Sequence, residues 1–299
     1  MRSFKPLVVV ALLSCAAAGV RAQQQFTLLA SIVDPATNAS PEKIDAGELR
    51  VLEDGVTGKV LRVDAVDRVV KVQVLVDNGA GVGSESIADL RKGLRGLIET
   101  LPPGVETSIY TTAPQARPLV RPTSDRAALL KGVDLLTPDR TTGLFTESLG
   151  EAAQRATKEK EDVFTVIISA ASSAGDNNVQ DRDIQRAFDR IQSRPMIVHV
   201  LLYSGGPARA SGGIVQTQVG LAVTKATGGR YENINTMSRY VSLMPELGAE
   251  VAKQMAGQTR QFRILAQRPD GKTGNLGGVS LGVTGKQVTG LTLERTNTK

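Results

Sequence analysis

Val69–Ser86 reads VVKVQVLVDNGAGVGSES, and the interpretation of this stretch decides the fold. Its first eight residues are apolar and β-branched apart from Lys71 and Gln73, the composition of a strand covered on both faces inside a parallel sheet. The run breaks at Asp77 into a loop holding Gly79, Gly81 and Gly83. Ile87, Leu90, Leu94, Leu97, Ile98 and Leu101 then recur at three- and four-residue spacing, which predicts a helix from Ser86 that buries one stripe on the sheet. In open parallel sheets ligands bind beyond the carboxyl ends of the strands, so Asp77 stands where chemistry is expected.

Working outward, the chain alternates strand and helix. ETSIYTTA and ARPLVRP read as strands, Ser124–Leu136 as a helix, and TPDRTTGLF as a loop leading into another helix. FTVIISAAS and MIVHVLLYSG are continuous apolar runs, hence buried strands, with the helix Asp181–Ser193 between them. A helix over Val219–Thr227 ends at Gly228-Gly229, Arg230–Ile234 is a short edge strand, and a last helix spans Ser238–Ala256 with Pro245 as a kink or restart. The expected fold class is α/β: a Rossmann-like, doubly wound, mostly parallel sheet in which Val72–Val76, Val166–Ser169 and Ile197–Leu202 are adjacent buried strands.

Both flanks are β in pattern. FTLLASIVD reads as one strand, and ELRVLEDGVTGKVLRVDAV as two strands about the Asp54-Gly55 turn. Three strands make a poor domain, so they need partners, and QFRILAQ plus a hairpin of LGGVSLGV and QVTGLTLERT around Gly285 supplies them. The expected organisation is a leader over 1–22, a β segment over 23–68, the α/β unit over 69–257, and a β segment over 258–299 that packs with the first as a small sheet or sandwich.

The leader has a basic start, MRSFK, an apolar run, PLVVVALLSCAAAG, and small residues at Val20 and Ala22, the anatomy of a signal peptide cleaved before Gln23. The run is shorter than the roughly 20 residues of a spanning helix, so no membrane span is expected. Leu12-Leu13-Ser14-Cys15 also resembles a lipobox, the alternative being a lipoprotein anchored at Cys15. The expected location is secreted or periplasmic. In either case the single Cys leaves no disulfide and no Cys-held metal for the mature chain.

Composition excludes other classes. The charge of +6 includes Arg2, Lys5 and Arg21 of the leader, and the +3 that remains is too little to argue for nucleic acid. Aromatics are 3% of residues with no Trp, so a base-stacking platform is not expected either. His199, the only histidine, sits inside MIVHVLLY as a core residue rather than a base. There is no G-x-S-x-G elbow, and the three loop glycines do not complete G-x-G-x-x-G. Lys158–Asp162 is a charge cluster read as a solvated linker. With no paired acid and base, the chain reads as no enzyme and as needing no cofactor.

The element order, the central strand ending in Asp77, the loop Thr142-Gly143-Leu144-Phe145, the strand VIIS followed by Gly175-Asp176-Asn177, and the flanking GELRVLEDG, Gln261-Phe262 and PDG together resemble a von Willebrand factor type A domain, in particular the secreted bacterial proteins of that kind common in Acidobacteria. The resemblance covers nearly the whole mature chain. It implies a module that binds another protein, in many members through a divalent cation at a metal-ion-dependent adhesion site built on Asp-x-Ser-x-Ser, a Thr on a second loop and an Asp on a third. Here Asp77 is retained, Gly79 and Gly81 replace the two hydroxyls, Thr142 matches the Thr, and the third carboxylate falls on Ala170 or Ala171, with Asp176 at a later, non-ligand position. The expectation is a degenerate site with no bound metal, since Mg²⁺ demands near-octahedral oxygen ligands. Asp77 is then expected to accept backbone N–H bonds facing a helix N-terminus and to be held charged. The partner-binding loops are expected around Asp77, Gly79, Gly81, Thr142 and Ser172; the alternative is a structural scaffold whose crevice is vestigial.

Overall fold

A computed structural model describes residues 25–160, 162–175, 179–211, 213–272 and 275–294. The leader with Cys15, and Asp176-Asn177, lie outside the described residues. The α/β unit holds β5 (Val69–Val76), α1 (Ile87–Thr100), β6 (Glu106–Thr111), β7 (Arg117–Thr123), α2 (Arg126–Asp134), α3 (Phe145–Thr157), β8 (Val163–Ser172), α4 (Asp181–Gln192), β9 (Met196–Tyr203), α5 (Ile214–Thr227), β10 (Tyr231–Ile234) and α6 (Ser238–Ala256). Its sheet has the order β10-β9-β8-β5-β6-β7, parallel except for the edge strand β7. The three apolar runs β9, β8 and β5 are its adjacent central strands, as their lack of polar alternation requires.

Alternate residues feed two cores. Val70, Val72, Val74 and Val76 of β5 with Val166, Ile168 and Ala170 of β8 meet α1, α2 and α6 on one face. Leu75, Ile167, Ala171, Val198, Val200 and Leu202 meet α3, α4 and α5 on the other. Pro245 lies inside one uninterrupted helix rather than at a restart. It is tolerated where α6 crosses α1 closely. A Cβ on Gly93 would lie 2.8 Å from the Tyr240 carbonyl oxygen, and one on Gly96 2.5 Å from the Pro245 ring.

The flanks form two further sheets. β1 (Gln25–Val33), β11 (Arg260–Gln267), β4 (Lys59–Asp67) and β13 (Gln287–Glu294) pair antiparallel in the order β13-β1-β11-β4, while β2 (Leu49–Glu53), β3 (Val56–Thr57) and β12 (Val279–Val283) pair as β12-β2-β3. Phe26, Leu28, Ala30, Ile32, Phe262, Ile264 and Ala266 of one sheet enclose a core with Leu49 and Val51 of the other. Two strand assignments need correction. The segment after Asp54-Gly55 is broken at Gly58, which passes from the smaller sheet to the larger; a Cβ there would lie 2.6 Å from the Gln267 carbonyl oxygen. The terminal hairpin is also absent as a pair: β12 joins β2 and β13 joins β1, so the turn at Gly285 crosses between sheets because both strands find partners in the N-terminal segment.

Buried Glu53 and Arg268 fasten the smaller sheet. Arg268 donates through Nε at 2.9 Å and Nη2 at 2.5 Å to the two carboxylate oxygens, and the Gly277 N–H adds a third bond. The Lys158–Asp162 cluster is not merely solvated. Glu159 pairs with Lys71 at 2.9 Å, and Arg194 donates to the carbonyls of Glu159 and Lys160, closing the end of α3.

Gly93→Val should cost about 1–3 kcal/mol by forcing α6 from α1, whereas Gly47→Ala, with nothing within 4 Å of the new methyl, should stay within about 0.5 kcal/mol of wild type. Chemical denaturation of both variants measures the difference.

Candidate functional site

The end of β5 sets the position of Asp77. Its N–H continues the ladder to the Ala170 carbonyl at 2.8 Å, so the residue emerges beside the end of β8. The carboxyl is enclosed, with 3% of the residue exposed. Oδ1 accepts the Gly79 N–H at 2.7 Å; Oδ2 accepts the Ser172 N–H at 3.2 Å and the Ser172 hydroxyl at 2.5 Å. These donors belong to its own loop and to the end of β8, not to the N-terminus of α1 as the sequence suggests. The electrostatics of Asp77 are opposed: the three hydrogen bonds favour the carboxylate, but burial outweighs them and pushes its pKa above its ordinary value.

Three loops converge here. The Ala80 N–H donates to the Thr141 carbonyl at 2.8 Å, the Asp139 N–H to the Asn78 carbonyl at 2.7 Å, and the Asn78 amide to the Thr137 carbonyl at 2.8 Å. The glycines make the convergence possible. A Cβ on Gly79 would lie 2.5 Å from the Thr141 carbonyl oxygen, and one on Gly81 2.4 Å from Ser172 Oγ. One on Gly143 would lie 2.5–2.7 Å from the carboxyl atoms of Asp77. Neither Gly79 nor Gly81 has positive φ, so space and not backbone angle selects glycine at both.

The structure thus brings Asp77, Gly79, Gly81 and Ser172 together. Thr142 is not part of that group: it is exposed and lines a separate groove of about 570 Å³ between α3 and α4. Gly143, which the sequence marks only as a member of that loop and not as a site residue, takes its place against the carboxyl. No sequence signal marks it beyond its position next to Thr142, because the choice between the two depends on how the loop is rotated. Ala170 lies within β8, and Ser172 is the β8 side chain that reaches Asp77. One enclosed carboxyl, one hydroxyl and a covering main chain do not match the six oxygen ligands of Mg²⁺, and among the described residues no cluster of three or more His, Cys, Asp or Glu could hold an ion.

His199 is fully buried in β9. Nδ1 accepts the Arg230 N–H at 3.0 Å and Nε2 lies 3.0 Å from Gln254 Oε1, which makes Nε2 the donor. Burial pushes its pKa down to about 4. With both nitrogens engaged, it serves the core rather than the crevice.

No family model and no curated protein matches the chain. Among solved structures, a von Willebrand factor type A protein from Catenulispora acidiphila superposes with a TM-score of 0.51 at 13% identity over 91% of this chain and 74% of that one. The conserved hypothetical protein BatB from Bacteroides thetaiotaomicron gives 0.42 at 15% identity over 59% and 99%. Proximal thread matrix protein 1 of the mussel byssus gives 0.48 at 13% identity over 62% and 49%. The first likeness carries the conclusion that the chain has a von Willebrand factor type A fold with an additional antiparallel β unit.

Two outcomes test the site. Restoring the hydroxyls and carboxylate with Gly79→Ser, Gly81→Ser and Ala170→Asp should destabilise the protein by at least about 1–3 kcal/mol per clashing residue and yield no Mg²⁺ response, since Ser side chains meet Thr141 and Ser172. For His199 the folded pKa of about 4 lies below the unfolded value of 6.5, so its stability contribution is complete above pH 6.5 and is lost as pH falls toward 4, by up to roughly 3 kcal/mol. His199→Gln should flatten that slope in denaturation curves over this range relative to wild type, a comparison in which Asp77 cancels.

Proposed function

We propose that the chain is a non-enzymatic module that binds another protein through the loops at the carboxyl end of its parallel sheet, without a metal ion. The observation that carries this reading is the Gly143 main chain lying against the enclosed Asp77 carboxyl. An acidic partner residue would find no cation there to complete. Recognition passes instead to the outer rim of the same loops, where Ala80, Ser84, Glu85, Arg140, Thr141 and Thr142 are exposed. Their mixed charge favours a protein surface over nucleic acid. A non-enzymatic role is supported by the core placement of His199, both of whose ring nitrogens are engaged away from the crevice.

Export fits the same picture. The leader reading places the mature N-terminus at Gln23, or at a lipidated Cys15. Gln25 and Glu294 lie at the end of the β unit remote from the α/β unit: Gln25 pairs with Gln267, whereas Arg260 and Asp67 sit at the junction where β4 leads into β5. An attachment there would leave the crevice loops free at the opposite pole.

Saturating Mg²⁺ or Mn²⁺ should leave the melting temperature unchanged. A bound ion at a hundredfold excess over its dissociation constant would add about 2.7 kcal/mol, and an upward shift lost in Asp77→Ala would reject the metal-free reading. In a crosslinking pull-down, Ala80→Arg with Thr141→Arg should abolish partner capture while keeping wild-type melting. Capture that survives both would move the binding surface away from these loops.

A further inference from the structure

The junction of the two units holds an open cleft of about 600 Å³, at the opposite end of the parallel sheet from Asp77. Phe164 and Met196, at the starts of β8 and β9, form one wall, and Ser31, Gln261 and Leu291 of the β unit form the other. Gln192, Thr227 and Gly257 also border it, so the C-terminal ends of α4, α5 and α6 meet there. Among the described residues Arg194 is the one charged side chain that lines it. Its guanidinium is taken up by main-chain carbonyls after α3.

Two buried side chains at this cleft have unfilled hydrogen-bonding atoms. Arg68 is 7% exposed, and its guanidinium lies 4.9 Å from the centroid of the Phe164 ring that lines the cleft. Its Nε and Nη1 meet no acceptor among the described residues. Burial and the charge of Arg194 push its pKa down to about 10, against the opposing charge of Asp162. The three helix ends offset part of the positive charge without giving those two nitrogens a hydrogen bond. Gln261, 5% exposed, donates through Nε2 to the Ser31 hydroxyl at 2.8 Å, which leaves its Oε1 with no donor among the described residues. A buried cation without a counter-charge and a buried acceptor without a donor both cost stability. A molecule that brings an anionic acceptor to the first and a donor to the second removes both costs.

We infer that the cleft binds a small monocarboxylate that carries an uncharged hydrogen-bond donor beside its carboxylate, as a 2-hydroxy acid does. The carboxylate gives Arg68 the acceptor and the counter-charge that the chain withholds, in a charge-assisted bond. The hydroxyl donates to Gln261 Oε1. Arg68 and Arg194 repel an ammonium group, which disfavours a free amino acid, and the negative ends of three helices disfavour a phosphate dianion. Phe164, Met196 and Leu291 offer apolar surface to the body of the acid. An amide N–H can replace the hydroxyl, so the terminal residue of a peptide presents the same chemistry.

Titration calorimetry of the full chain with 2-hydroxy-4-methylpentanoate, N-acetylleucine, 4-methylpentanoate, leucine and inorganic phosphate tests this. The hydroxy acid or N-acetylleucine should bind, and whichever binds more tightly identifies the source as a free acid or a peptide end. 4-Methylpentanoate, which leaves Gln261 Oε1 unpaired, should bind at least about tenfold more weakly, and leucine and phosphate more weakly still. Arg68→Met removes a buried, unpaired charge, so it should melt no lower than wild type while losing binding of the acids. Gln261→Met should bind the hydroxy acid and 4-methylpentanoate alike, a loss of preference that a purely structural role for Gln261 would not produce. Binding of neither the hydroxy acid nor N-acetylleucine overturns the inference. So does binding that survives Arg68→Met, a preference for the hydroxyl that persists in Gln261→Met, or phosphate binding as tight as that of the acids, which would mark an adventitious ion only.

Discussion

The contact on which the crevice depends is the main chain of Gly143 resting on the carboxyl of Asp77. It can exist only because the residues around it have no side chains. Gly79 admits the Thr141 carbonyl, Gly81 admits the Ser172 hydroxyl, and the three loops close over a group that a parallel sheet would otherwise leave facing solvent. The closure costs desolvation of a carboxyl, which is why burial raises the Asp77 pKa despite three donors. What it returns is a set of hydrogen-bonded loops, Ala80 to Thr141, Asp139 to Asn78 and Asn78 to Thr137, in place of an open coordination site. Asp77 therefore acts as a ligand for the protein's own backbone.

The legible part of the fold is the part whose residues report burial on both faces. β5, β8 and β9 are continuous apolar runs, and such runs have one place in an α/β sheet, its centre, so their adjacency could be read directly. The flanking strands were legible as strands but not as partners. A hairpin around Gly285 and a second strand running straight on from Asp54-Gly55 are the local solutions, and both lose to pairings more than 200 residues apart, β12 with β2 and β13 with β1. Alternation identifies a strand's faces but says nothing about which distant edge it joins. Gly58 is the residue that settles the matter, because only a glycine lets that segment pass the Gln267 carbonyl.

In the crevice, Asp77, Gly79, Gly81 and Ser172 were identifiable because they end or follow strands whose limits are fixed by the apolar runs. Thr142 and Gly143 were not distinguishable, since their loop follows no strand and its rotation is set by hydrogen bonds to main-chain groups that sequence does not display. The same limit explains the charge cluster after α3: Lys158–Asp162 looks like solvated linker until Arg194, over thirty residues later, is found donating to its carbonyls.

The β unit and the α/β unit share one chain path rather than a hinge. Arg68 alone separates β4 from β5, its N–H bonded to the Thr259 carbonyl at 2.8 Å and its guanidinium 4.9 Å from the Phe164 ring centroid. The return crossing, from α6 to β11, takes only Gly257–Thr259, and the Ser40 hydroxyl lies within hydrogen-bonding distance of the carbonyls on both sides of it, Gly257 at 3.1 Å and Arg260 at 3.2 Å. Relative motion of linked units is the default where a single flexible linker joins them. Two adjacent crossings of one and three residues leave few soft torsions to absorb a rotation, and the half-buried Ser31–Gln258 bond ties the second crossing to β1. A load or tether applied at the terminal end of the β unit is therefore carried through β4 directly into β5, the strand that positions Asp77.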